Sequence, residues 1–95
     1  MQIKGIQIEA KDQVVTLTQQ AESGDRVCYI SKGIRCEVTA GEEIPQYHKM
    51  ACKHINKGEK VYKYGNEIGE AVTEIKAGEW VHMHNLRSTC LVEQP

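Results

Sequence analysis

A short turn recurs along this chain, and it constrains the fold more than any other feature. An apolar residue is followed three positions later by Gly, then by an acid, any residue, and Val or Ile. The pattern runs Ala21-Glu22-Ser23-Gly24-Asp25-Arg26-Val27, and again Val38-Thr39-Ala40-Gly41-Glu42-Glu43-Ile44. It returns as Ile55-Asn56-Lys57-Gly58-Glu59-Lys60-Val61 and as Ile75-Lys76-Ala77-Gly78-Glu79-Trp80-Val81. A polar turn with a glycine free to take positive φ, set between β-branched residues, is a turn entering a strand. Turns this frequent, with no sustained helical period, predict an all-β fold of short strands in a single domain. The copies are too few and too weak for a solenoid.

The strands can be placed coarsely. Ile6 and Ile8, then Val14, Val15 and Leu17, mark two early strands around a Lys11-Asp12 turn. Val27 to Ile30 and Ile34 to Val38 flank Lys32-Gly33 as a hairpin. Val61 to Tyr64 and Ala71 to Ile75 flank a glycine-rich loop at Gly65 to Gly69. Val81 to Leu86 is the last strand, a short helix or turn is assigned to Lys49 to His54, and the tail from Arg87 to Pro95 is expected to be partly mobile.

Composition removes several function classes. Net charge is -1, there is no Phe, and the only aromatic side chains besides histidine are four Tyr and one Trp, with no basic stripe. That excludes an ordinary nucleic-acid module. No apolar run approaches the roughly 18 residues of a membrane span, and the N-terminus has no charged-then-apolar leader pattern. The expected setting is the cytosol. The four cysteines lack paired CxxC spacing, so reduced thiols are expected rather than disulfides or a cysteine-rich zinc site.

Chemistry concentrates in the C-terminal half, which holds all four histidines: His48, His54, His82 and His84. On a strand, residues i and i+2 share a face. His82 and His84 would then project side by side with Trp80, able to converge on a metal ion or a carboxylate. Asn85 follows, able to donate and accept hydrogen bonds. Alternating histidines are more often an ordinary polar strand surface, and imidazoles alone do not name a metal. Gly65 to Gly69 lacks the Lys-Ser/Thr of a phosphate loop. Lys63, between Tyr62 and Tyr64, is a candidate polar edge. The recurring acids read as turn chemistry, and Cys52 as a structural thiol.

Three blocks resemble a known family. They are Ile44-Pro45-Gln46-Tyr47-His48-Lys49-Met50-Ala51, then Lys63-Tyr64-Gly65 with Ile68-Gly69-Glu70-Ala71, then Gly78-Glu79-Trp80-Val81-His82-Met83-His84-Asn85. Together, over about residues 25–86, they resemble the SAF-type domain of the altronate/galactarate dehydratases. The resemblance implies a compact β-clip fold. It also implies elimination of water from a hexonic or hexaric acid to a 2-keto-3-deoxy acid, with this chain as a small subunit beside a large catalytic partner. His48, His82 and His84 are then the expected catalytic residues, with His82 and His84 as ligands of a divalent metal such as Fe(II) or Mn(II). Lys49, Lys63 and Asn85 are the expected substrate contacts. A sulfolactate sulfo-lyase small subunit shares the architecture. A non-catalytic carbohydrate-binding or structural module is the alternative from a different class. A free homo-oligomer is compatible with the edge strands of so small a sheet.

The chain departs from the family pattern at two places. Tyr47 stands where the signature has Gly, and a Tyr does not take positive φ cheaply, so the loop before His48 is expected to be reshaped or partly occluded. Upstream, Glu9-Ala10-Lys11-Asp12-Gln13 replaces a His-Pro-type start, which implies reduced activity or a shifted substrate.

Overall fold

A computed structural model describes residues 2–88. It is all-β, with nine strands and no helix among the described residues. The first four strands are β1 (Gln2–Ile6), β2 (Val14–Leu17), β3 (Arg26–Ser31) and β4 (Ile34–Thr39). They are followed by β5 (Lys49–Ala51), β6 (Lys60–Lys63), β7 (Asn66–Ala71), β8 (Trp80–Val81) and β9 (Leu86–Ser88). Six form one sheet in the order β4-β3-β1-β2-β5-β8, and three form a second in the order β6-β7-β9. β1 lies parallel to β3 and antiparallel to β2.

The recurring turn builds this frame, with one copy misread from sequence. The four structural units are residues 21–27, 44–50, 55–61 and 75–81. In each, the first residue is bridged to that of another unit: Ala21 to Ile44, and Ile55 to Ile75, each pair exchanging both backbone hydrogen bonds at 2.8–2.9 Å. The fifth N–H closes the turn on the second carbonyl, in Asp25→Glu22, His48→Pro45, Glu59→Asn56 and Glu79→Lys76. The fourth residue is left-handed at Gly24, Tyr47, Gly58 and Gly78. Every first and seventh residue is fully buried: Ala21, Ile44, Ile55 and Ile75, then Val27, Met50, Val61 and Val81. The copy expected at Val38 to Ile44 is therefore not a unit. Gly41 lacks the positive φ, and Ile44 opens the true copy, in which Tyr47 and His48 stand where glycine and the acid stand elsewhere.

The acid has a defined task. Asp25, Glu59 and Glu79 each turn back to accept the N–H of the second residue of their unit, at 2.8, 2.9 and 2.9 Å. In the odd unit the second residue is Pro45, which has no N–H to satisfy. An acid at the fifth position would have nothing to cap there, and the side chain of His48 is released for other contacts.

Two hydrophobic clusters fill the molecule. One gathers Ile3, Val15, Leu17, Val27, Ile44 and Met50 with Ala21, Ala40 and Cys52. The other gathers Val14, Ala51, Ile55, Val61, Ala71, Ile75 and Val81. β2 serves both, sending Val14 to one cluster and Val15 to the other, which is why its apolar residues run consecutively rather than alternating.

The Lys32-Gly33 hairpin is as expected, closed by the pair Ser31↔Ile34. Other assignments shift. The second hairpin turns on Tyr64-Gly65 alone, both with positive φ, and residues 66–71 form β7. Gly69 belongs to that strand because a Cβ there would lie 2.5 Å from the Arg87 carbonyl; it marks close approach of β9, not a loop. Lys49 to His54 holds a strand, β5, and no helix. The strand expected over Val81 to Leu86 stops at Val81, and Arg87 and Ser88, assigned to the tail, belong to β9. The rest of the tail lies outside the described residues. Cys28, Cys36 and Cys52 are free thiols; Cys90 also lies outside.

Candidate functional site

β5 and β8 lie side by side, with Lys49 opposite Val81 and Met50 opposite Trp80. This register brings the odd turn unit, with His48, against the end of the last unit. Trp80 is the hub. Its indole stacks on His82 at 5.1 Å with ring planes 10° apart, and its ring meets those of His48 at 5.6 Å and His84 at 5.4 Å. His48 and His82 are themselves 5.2 Å apart between ring centroids.

The chain past Val81 folds into a turn rather than continuing as a strand. His82 O accepts the N–H groups of Asn85 and Leu86 at 3.1 and 2.9 Å. The two-residue alternation that was to place His82 and His84 side by side therefore does not apply; Trp80 gathers them instead. Asn85 is only 5% exposed. Its Oδ1 accepts from His82 N–H at 2.9 Å, and its Nδ2 donates to Trp80 O at 2.8 Å. Asn85 therefore clamps the loop that presents His82, and its side chain is not offered to substrate as the sequence suggested.

The tautomer of His48 follows from its partner. The Trp80 indole N–H donates to His48 Nδ1 at 3.2 Å, and indole can only donate. Nδ1 is the acceptor, so the neutral ring carries its proton on Nε2. His82 is held below the ordinary imidazole range, first by burial and then by the neighbouring His48, Lys49 and His84. That direction favours the neutral imidazole, the form able to accept a proton.

A cleft of about 350 Å³ opens beside His82, lined by Lys49, Lys63, Ile68, Met83, Leu86 and Ser88. Its charged lining is cationic, with no carboxylate among the residues named. Lys49 is held below the usual lysine range by burial and then by Lys63. His48 and His84 contact Trp80 and are not among the residues that line the cleft. A smaller hollow of about 180 Å³, beside Lys4, Cys28 and Arg35, contains none of the expected site residues. His54 stands apart, paired with Glu74 at 2.6 Å.

Among the described residues no group of three His, Cys, Asp or Glu side chains is gathered closely enough to hold a metal ion. One nitrogen of His48 is already taken by Trp80. The imidazoles present do not by themselves make a complete metal site.

Three residues that position the site were not singled out from sequence. Trp80 was noted only as a neighbour of the histidines. Asp12, assigned to a turn, is 1% exposed. Its carboxylate accepts three backbone N–H groups, from Glu9, Tyr64 and Gly65, at 3.1, 2.8 and 2.9 Å. The adjacent Gln13 accepts from Tyr62 N–H at 2.8 Å and donates to Lys60 O at 2.7 Å. An acid next to an amide just before a buried apolar run is a weak signal, readable only once the second hairpin is known to lie across it. Tyr47 does adopt positive φ, at 67°, and is 70% exposed. The loop before His48 keeps the turn geometry of the other units and is not reshaped as expected.

The family model described as the altronate/galactarate dehydratase SAF domain matches residues 3–89. The altronate dehydratase of Bacillus subtilis is 31% identical over 83 residues, covering 87% of this chain and 16% of that protein. That of Escherichia coli is 36% identical over the same length, with the same coverage. The (2R)-sulfolactate sulfo-lyase subunit alpha of Paracoccus pantotrophus is 39% identical over 51 residues, covering 54% of this chain and 76% of that subunit. The chain thus spans about a sixth of the altronate dehydratases it matches.

Proposed function

Because the chain belongs to the altronate/galactarate dehydratase SAF-domain family, we propose that it is the small component of a sugar-acid dehydratase, working in the cytosol beside a larger catalytic subunit. The observation that carries this reading is the cationic cleft itself: Lys49, Lys63 and His82 line it together, with no acid in the lining. Such a cleft suits a carboxylate whose α-carbon must lose a proton.

The chemistry follows from the side chains. The two ammonium groups hold the substrate carboxylate and offset the charge that develops on it as the α-proton leaves. His82 takes that proton. As imidazolium it returns the proton to the β-hydroxyl, the carbon–oxygen bond breaks, and water departs. The enol that remains ketonises to the 2-keto-3-deoxy acid. His48, with its proton on Nε2, accepts the Trp80 indole N–H at Nδ1 and keeps Trp80 stacked on His82. A divalent metal, Fe(II) or Mn(II), would draw most of its ligands from the large subunit and would act as a Lewis acid on the carboxylate oxygens. The open cleft, rimmed by Met83 at 80% exposure, is consistent with closure by that subunit.

Elimination of sulfite from sulfolactate is the second reading. The shared identity with the sulfo-lyase alpha subunits favours it, and it differs only in the leaving group. The complex formed by the chain in its native host should be purified and assayed on aldonates, aldarates and sulfolactate, for 2-keto acid and for sulfite. Product from a sugar acid, lost with His82→Gln, supports the dehydratase. Sulfite release instead moves the assignment to the sulfo-lyase. Turnover unchanged by His82→Gln would overturn the assignment of the base.

A further inference from the structure

We propose that Asp12 is the positioning residue of the anion cleft, acting through Tyr64 to hold Lys63 beside Lys49. This rests on the reading of the cleft as a carboxylate site. Lys63 sits at the end of β6, immediately before the Tyr64-Gly65 turn. The backbone on both sides of it is fixed from outside its own hairpin: Tyr62 N–H donates to Gln13 Oε1, and Tyr64 and Gly65 N–H donate to the Asp12 carboxylate. A carboxylate accepting from two successive amides fixes the orientation of that turn more firmly than a neutral acceptor would.

The turn in turn sets the side chains. The Lys63 ammonium lies over the Tyr64 ring, 4.9 Å from its centroid, a cation–π contact. The Tyr64 hydroxyl reaches Thr16 Oγ1 at 3.4 Å. Thr16 is the residue of β2 that pairs with Lys49 of β5. One continuous set of contacts therefore runs from Asp12 through Tyr64 to both lysines. Left to themselves two ammonium groups would separate; the clamp on the hairpin keeps them facing one cleft. Asp12 touches neither the cleft nor any group in it, so its effect must pass through Lys63.

The test uses NMR of the full chain with D-gluconate as probe. Asp12→Asn puts an amide NH2 against at least one of the three N–H donors. It should remove the nuclear Overhauser contact between the Tyr64 ring and Thr16 and weaken gluconate binding by about tenfold, the scale of one lost charge-assisted contact. Lys63→Gln should weaken binding similarly, and the double variant should be no weaker than Lys63→Gln alone. Gln13→Ala, which frees only the Tyr62 side of the clamp, gives the same comparison if Asp12→Asn does not fold. Additive losses, or an Asp12→Asn chain that is less stable yet binds gluconate as wild type does, would overturn the proposal. Wild-type chain that binds no gluconate, while Asp12→Asn still loses the Tyr64–Thr16 contact, would retain the positioning and sink the carboxylate reading of the cleft.

Discussion

Replacing Tyr47 by glycine should make the chain more stable, although it deletes a whole aromatic side chain. Tyr47 holds φ at 67°, where a residue with a Cβ costs about 1–2 kcal/mol relative to glycine. Its ring is 70% exposed, so little buried area is lost. Glycine brings a more flexible unfolded chain, which offsets roughly 0.5–1 kcal/mol of the gain. The net expectation is a stabilisation of about 0.5–1 kcal/mol, or a Tm rise of about 2–8 °C for a domain of this size. Calorimetry at fixed pH measures it directly. The converse change isolates the same quantity. Gly58 occupies the equivalent position at φ 86°, and a Cβ there meets nothing within 4 Å, so Gly58→Ala should cost about 1 kcal/mol by conformation alone. A lower Tm for Tyr47→Gly, with Gly58→Ala behaving as stated, would refute the reasoning and show that the Tyr47 ring makes a stabilising contact worth more than the strain.

Three further outcomes are expected. Gly78→Ala should be far worse than Gly58→Ala, by several kcal/mol in urea denaturation, because its Cβ would sit 2.3 Å from the Thr39 carbonyl as well as at positive φ. Asn85→Ala should cost about 2 kcal/mol, since two hydrogen bonds are lost and partly buried backbone groups are left without their partner; the His82 ring signals should broaden at the same time. His82 should titrate below the ordinary imidazole value of about 6.5, and Lys49→Met should restore only part of the shift, because burial is its larger cause. The folded state binds this proton less readily than the unfolded state does. The stabilising contribution of neutral His82 is therefore complete above about pH 6.5 and declines as pH falls toward the lower folded value.

The all-β class and the first hairpin were legible because turn glycines and β-branched runs are local signals. The histidines could be singled out, but not their arrangement. His82 and His84 were placed by strand alternation, and the strand ends one residue earlier, where the Asn85 amide competes for the backbone of Trp80 and His82. The true second copy of the turn was hidden because it lacks both glycine and acid. Asp12 and Gln13 escaped notice because their partners lie some fifty positions away in sequence, across a hairpin whose turn was placed too broadly.

The proline of the odd unit has a consequence beyond this one site. In three units the acid is committed to an internal task, and a side chain without an acceptor there would strand a backbone donor. Pro45 deletes the donor, and with it the demand. The fifth position becomes a vacant socket in an otherwise rigid frame, open to whatever chemistry is placed in it. A paired exchange in another unit, Asn56→Pro with Glu59→His, would transplant that socket to a different edge of the molecule, so the fold carries its own rule for where new function can be installed.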